Sequence, residues 1–416
     1  MRAPVPYEPI DIPEPLPVSP RKKLLIVSTR VPYPLTDGVR IRIYNTAKYL
    51  SRDFDVGLAC LTYEAYTEEH LEALRTVFSE VSVQKVSLFS CALHSLRSLW
   101  NPLPVQVNFF RWASFARRLD AMAARYDIVL CNHIRTTEYV RQRPWKTLVD
   151  LHDSFGLRYE RTIKTVKGLM RLFARYELRK IRGYEIDVLA DVDHAIIVSE
   201  LDRQFLIRGG APPDKITTLN VAVRDDIRPD PPTDRGRSIS FLGRIAYAPN
   251  EDAVLWFADE VFPVLLQRYP DLTFTVIGID PTPRVLALRS RQNIVVTGFL
   301  ENPYTLINDS TVVVAPIRYG AGMQNKVLEA MLLGKPVVLT GIGAEGIDGR
   351  DGEHFLVADD AETFARCVSE LLDDRPRADA LGIAARQLIL DRYTWDSISA
   401  RYKAIIDTIL AAPPRS

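Results

Sequence analysis

A chain of 416 residues, 47% hydrophobic and 25% charged, has the composition of a folded globular protein of two or three domains, which excludes disordered, collagen-like and fibrous chains. Lys plus Arg number 53 against 52 Asp plus Glu, a net charge of +1, and nucleic-acid binding is disfavoured because it draws on a larger basic excess. The cysteines Cys60, Cys91, Cys131 and Cys367 are too scattered for a zinc cage and read as buried thiols in a reducing compartment. No apolar run reaches the ~20 residues that span a bilayer, and the N-terminus has no apolar signal core, so a cytoplasmic location is expected.

Residues 1–20 hold seven prolines, Pro4 to Pro20, and read as an extended leader that joins no helix or central strand. Order begins at Lys22, and Leu24–Ser28 reads as a doubly covered parallel strand. A helical stretch with Ile43, Ala47, Tyr49 and Leu50 follows, then strands at Val56–Leu61, Val81–Val86, Ile128–Cys131, Thr147–Leu151 and Ala195–Val198 with helices between them. After Pro212 and Pro213 the pattern restarts at Lys215–Leu219, passes the proline-rich turn Arg228–Pro232, and continues at Ile239–Gly243, Thr273–Ile277, Ile294–Thr297, Thr311–Ala315 and Pro336–Leu339. This predicts an α/β protein with a Rossmann-like N-terminal domain at 21–213, a second at 214–395, and a terminal helix at 396–416 packed back on the first. Two such domains leave a cleft at the carboxyl ends of their strands.

The loops that follow these strands carry the chemistry. Arg318–Met331 leaves an apolar strand through Gly320 and Gly322 and opens a helix, where Met323, Gln324 and Asn325 offer backbone N–H groups to phosphate oxygens. Lys326 adds a cation on the first turn, and Glu329 lies where it could accept bonds from a ribose diol. A tight turn with a solvated Lys–Glu pair is the competing reading. Gly243-Arg244 ends another strand and aims a guanidinium fork suited to a diphosphate, and Gly298-Phe299 ends a third that could bracket a base. In the first domain, Pro34–Gly38 forms a glycine loop, and His133 and His152 each end a strand, His152 being favoured because Asp153 follows it. Basic residues crowd Arg158–Arg182, with Ile163, Val166, Met170, Phe173 and Ile181 on the opposite face; this reads either as a solvated face or as a contact with an anionic membrane or an acidic acceptor.

These residues resemble a known family over about 22–411: the GT-B glycosyltransferases of the retaining group with an E-x7-E motif, glycosyltransferase family 4-like and similar to sugar transferases of bacterial exopolysaccharide clusters. Phe241–Phe257 and Val314–Val338 carry the resemblance most specifically. It implies two Rossmann-like parallel-sheet domains facing a cleft, and transfer of a sugar from a UDP- or GDP-sugar to a hydroxyl acceptor without cofactor or metal. Glu329 matches the second motif glutamate, which holds the ribose; Arg244 and Lys326 match the diphosphate cations; Gly38 matches the glycine loop facing the donor; and a histidine, His152 or His133, stands at the donor sugar. Ala321 replaces the first motif glutamate, and the lysine often found after the Gly-Arg pair is missing from Ala248-Pro249-Asn250. A non-catalytic nucleotide-sugar-binding protein and a sugar-nucleotide epimerase of the same build are the alternatives.

Overall fold

The structure is a computed structural model that describes residues 21–224, 227–229, 236–320 and 323–413. The leader 1–20, Ala321 and Gly322, and most of the Arg228–Pro232 turn lie outside the described residues.

The first sheet contains β1 (Lys23–Ser28), β2 (Asp55–Thr62), β3 (Glu80–Lys85), β4 (Ile128–Asn132), β5 (Thr147–His152), β6 (His194–Ile197) and β7 (Ile216–Thr218) in the order β3-β2-β1-β4-β5-β6-β7. The second contains β8 (Ser238–Leu242), β9 (Thr273–Ile277), β10 (Ile294–Val296), β11 (Val312–Ala315), β12 (Val337–Leu339) and β13 (Leu356–Val357) in the order β10-β9-β8-β11-β12-β13. Each pairing of named strands is parallel.

The unbroken apolar run of β1 follows from helices on both sheet faces. Leu25 and Val27 enter the core that holds Phe115 and Val188, whereas Leu24 and Ile26 enter the one that holds Ile43 and Leu50. In the second sheet Phe241 and Val314 point into one core and Leu242 and Val313 into the other. Burial on both faces removes the alternation that a one-sided strand shows.

Two expectations are corrected and one strand is added. The residues of β7 do not open the second domain: Ala195, Ile196 and Ile197 pair with Ile216, Thr217 and Thr218, so the first domain extends past 213. Prolines before a strand mark a turn but not which sheet the strand joins. The two-residue strand β13, inside the short apolar run Phe355–Ala358, adds to the expected strands. The basic stretch is two helices, Phe155–Thr165 and Gly168–Asp191, and its apolar residues do not share one face, since Ile181 is buried while Met170 and Phe173 are exposed.

The chain passes between the sheets twice, side by side. The Val223 N–H donates to the Tyr393 carbonyl at 2.7 Å, and Arg401 Nη2 donates to the Thr218 carbonyl at 2.8 Å. The last described helix, Trp395–Ala411, then lies on the first domain, with Ile398, Tyr402, Ile406 and Ile409 in the core that holds Leu24 and Ile26. In both sheets the strand order reverses beside the domain's first strand, at β1/β4 and at β8/β11, the positions where open parallel sheets leave a crevice for ligands.

Candidate active site

His133 follows β4 and His152 ends β5, and the pairing of these strands brings the two rings to 5.9 Å, edge to face. Both backbones have positive φ, 78° and 66°, which is uncommon for a side-chain-bearing residue and marks a position the surroundings enforce. Asp150 supplies much of that enforcement. It accepts from Arg42 Nε at 2.7 Å, from Arg42 Nη2 at 3.1 Å, from Tyr402 Oη at 2.5 Å and from the His152 N–H at 3.3 Å. Burial works against its ionised form, but the Arg42 guanidinium outweighs it and holds the carboxyl at about 2. The Asn132 amide donates to His152 Nε2 at 3.0 Å, which places the proton of the neutral ring on Nδ1. Burial, first of all, lowers the proton affinity of both imidazoles.

From below, Glu185 accepts from the backbones of Phe155 and Gly156 at 2.7 and 3.2 Å and from Ser154 Oγ at 3.1 Å, fixing the loop that leaves His152. Burial pushes this carboxyl up to about 8. Arg135 and Arg158 lie over the Phe155 ring, 5.8 and 4.6 Å from its centroid. Arg158 pairs with Asp153 at 2.8 Å. Arg135 bonds Gln106 Oε1 at 3.3 Å and has no carboxylate within ion-pair distance among the described residues. Gly38 begins the Gly38–Leu50 helix, capped by Asp37, and a side chain there would touch nothing within 4 Å.

On the second domain, the loops after β8 and β11 meet through Asn250. Its Nδ2 donates to the Arg244 carbonyl at 2.8 Å, and the Lys326 ammonium donates to its Oδ1. The Asn325–Leu332 helix thus sets the Lys326 ammonium beside the Ala248–Asn250 loop. Lys326 also lies 4.9 Å from the Phe241 ring centroid. Burial draws its pKa down to about 8, with Glu329 acting in the other direction. Gly243 is bare for a reason: a Cβ would stand 2.9 Å from Asn250 Nδ2. Arg244 extends outward and pairs with Asp280 at 2.9 Å. Gly320 and Gly298 adopt φ of 136° and 79°, and Phe299 is 76% exposed.

Residues of both domains line a cavity of about 630 Å³, within the range of small-molecule sites; it reaches the loop after His152 and Met323, but His133, His152, Arg244, Asn250 and Lys326 are not in its lining. Asp153, Arg158 and Glu200 line it from the first domain, and Met323 and Asp348 from the second. Arg161 crosses to Glu345 at 3.4 Å and Asn220 to Asp348 at 3.1 Å. Among the described residues no group of three or more His, Cys, Asp or Glu could hold a metal ion, and no helix is long and apolar enough to cross a membrane.

Residues 36–226 match the family Glycosyltransferase Family 4, and residues 236–374 match Glycosyl transferases group 1. The chain consists of the two domains of a GT-B glycosyltransferase.

An "Uncharacterized 44.6 kDa protein in cps region" of Klebsiella pneumoniae is 22% identical over 83% of this chain and 90% of that protein. Among solved structures, a glycosyltransferase from Rickettsia africae has a TM-score of 0.65 at 14% identity, covering 94% of this chain and all of that one. HepE of Anabaena, solved in complex with UDP, has a TM-score of 0.63 at 13% identity, covering 93% of this chain and all of that one.

In this glycosyltransferase, the residues singled out from sequence fall into two groups. His133 and His152 stand at first-domain strand ends and Gly38 begins the helix after β1, while Gly243, Arg244, Gly298, Phe299, Gly320, Met323, Gln324, Asn325, Lys326 and Glu329 stand in the loops that follow second-domain strands or on the helix after β11. Gly322 lies outside the described residues. Sequence reasoning did not assign Asn250, Arg135 or the Arg42–Asp150–Tyr402 cluster. Asn250 sits inside one of the two most family-like stretches, and that was the available signal.

Proposed function

We propose that this glycosyltransferase uses a nucleoside diphosphate sugar, with UDP favoured over GDP, and transfers its sugar to a hydroxyl acceptor with retention, in polysaccharide assembly and without a metal. The observation that carries this reading is the Lys326–Asn250 contact at the β8/β11 crevice, which holds a buried cation and a helix start against the Gly243-Arg244 strand end, where a diphosphate would lie with the outward Arg244 guanidinium beside it. The UDP bound by HepE supports the choice of base.

In this reading the nucleotide rests on the second domain, with Glu329 at the ribose, the Gly298–Phe299 loop at the base, and the backbone of Gly320 and of Met323–Asn325 around the phosphates. The bond from the anomeric carbon to the diphosphate oxygen breaks, and a bond to the acceptor oxygen forms on the same face. The acceptor proton passes to the departing phosphate. Negative charge grows on the diphosphate as it leaves, and preorganised cations there lower the barrier. Neutral His152, with His133 beside it, hydrogen-bonds the sugar from the first domain.

Calorimetry with UDP- and GDP-sugars, followed by mass detection of products with candidate glycan and lipid-linked acceptors, tests this. Donor binding with transfer and a retained anomeric configuration is expected. Binding without turnover would reduce the protein to a nucleotide-sugar binder, and sugar interconversion without acceptor would make it an epimerase.

A further inference from the structure

Each sheet leaves a crevice where its strand order reverses, at β8/β11 and at β1/β4. The proposed function gives the first to the donor diphosphate and leaves the second unassigned. Arg30, two residues past β1, and Arg135, on the turn after β4, stand at that second crevice.

The chain fixes Arg135 in place. Its backbone N–H donates to His133 Nδ1 at 3.5 Å, and its Nε donates to Gln106 Oε1 at 3.3 Å. The guanidinium lies 5.6 Å from the Phe110 ring centroid and 5.8 Å from that of Phe155. Among the described residues, neither Nη atom donates to a protein acceptor, and neither is sealed from solvent. A held side chain thus presents an open two-nitrogen edge.

The charges around it balance without it. Arg30 and Arg40 share Asp37 and Glu64, at 2.9 and 3.7 Å for Arg30 and at 3.2 and 2.6 Å for Arg40. Arg158 pairs with Asp153 at 2.8 Å. Arg135 has no carboxylate within ion-pair distance among the described residues. Burial, and after it the Arg30 and Arg158 guanidiniums, draw its pKa below the ordinary arginine value. An arginine stays protonated even so, and what it lacks is an anion. Two parallel N–H groups match the two oxygens of a carboxylate or phosphate, whereas a neutral hydroxyl balances no charge.

Position says which molecule brings the anion. Arg135 and His133 share the Phe155 ring, whose centroid is 4.8 Å from that of His133, and the His133 ring is 5.9 Å from that of His152. Arg135 therefore stands beside the histidines that the proposed function sets at the donor sugar, in the crevice that the donor phosphates do not use.

We infer that the β1/β4 crevice is an oxyanion subsite, in which the Nη1–Nη2 edge of Arg135, with Arg30 at the neighbouring strand end, binds a carboxylate or phosphate carried by the acceptor sugar. That the anion belongs to an acceptor rests on the transferase reading; the oxyanion site itself does not.

Calorimetry on the full chain compares methyl glucoside, methyl glucuronide and methyl glucoside 6-phosphate, each with and without UDP, and measures UDP-sugar affinity separately. At least one anionic glycoside should bind roughly ten-fold or more tightly than the neutral one, with UDP present or not. Tighter binding of the uronide assigns a carboxylate, and of the sugar phosphate a phosphate ester. Arg135→Ala should remove the preference, and Arg135→Lys, which keeps the charge without the paired N–H edge, should keep part of it. Melting temperature and UDP-sugar affinity should not change in either. The subsite is overturned if the neutral glycoside binds as well as both anionic ones, if the preference survives Arg135→Ala, or if UDP displaces the anionic glycoside. If the Arg135→Ala chain does not fold, Arg135→Lys decides, and an undiminished preference there overturns the site. Failure of the unaltered chain to bind any UDP-sugar would instead refute the transferase reading and leave the anion-binding result standing.

Discussion

The two edges of the cleft are built on different plans. The first domain fixes its histidines from inside: Asp150, buried against Arg42 and Tyr402, holds the His152 backbone, and Asn132 holds its ring. The second domain holds Lys326 with a neutral amide and extends Arg244 outward to an exposed aspartate. Two charges buried together with satisfied hydrogen bonds make a rigid base, whereas a buried lysine without a carboxylate bound to it leaves positive potential unspent until an anion arrives. The charges of the first edge are bonded to one another, and in the proposed function an anion would complete the second. The comparison teaches that burial alone does not describe a charge: Arg42 is buried against a bonded carboxylate, whereas Lys326 is buried against an amide.

The largest effect expected from this contrast is on stability. Asp150→Asn leaves Arg42 buried without its counter-charge and should cost about 3–5 kcal/mol in denaturant melts. A loss below ~1 kcal/mol, as for an exposed pair, would break the contrast. Because the folded Asp150 carboxyl lies at about 2, below its ordinary value, its contribution is present above the ordinary carboxylate range and disappears as pH falls through that value.

On the other edge the same kind of change should spare the fold and remove turnover. Lys326→Ala or Arg244→Ala is expected to lower kcat by about 10²–10³-fold with little change in melting, and the double variant should lose less than the sum. Full activity in Lys326→Ala would end the assignment of this edge to the diphosphate.

Glu329→Gln should weaken donor affinity by roughly 1–3 kcal/mol, read by calorimetry, with acceptor affinity unchanged. Smaller still, His152→Ala should lower turnover about ten-fold, the weight of a single hydrogen bond of ~1.5 kcal/mol. If His133→Ala shows the loss instead, the two rings exchange roles.

A pH series sharpens the comparison without mutation. With the Lys326 pKa lowered to about 8, its ammonium is charged below that pH and is lost above it, so donor affinity should fall from pH 8 upward. A bound diphosphate should move this fall to higher pH, and donor affinity that stays flat to pH 10 in the unaltered chain would contradict the role of Lys326.

Legibility in the sequence followed distance along the chain. Runs such as Leu24–Val27 and Val312–Ala315 announce buried parallel strands through their own composition, and the turns at Gly243-Arg244 and Gly320 announce strand ends. The residues at those ends could therefore be named. Their partners could not. Which of His133 and His152 reaches the cleft looked like a choice, yet the β4–β5 pairing sets them side by side. Asn250 gains its place only because Lys326, 76 positions later, returns to it.

By itself, then, the sequence determined the strand-and-helix alternation, the parallel sheets that buried apolar runs require, and the glycine and cation content of each loop, because these depend on neighbours within a few residues. Only the tertiary structure decided that β7 belongs to the first sheet, that Tyr402 closes the charge cluster at Asp150, and that Lys326 meets Asn250. Each of these depends on contacts between segments far apart in the chain, set by sheet order and packing rather than by any local pattern.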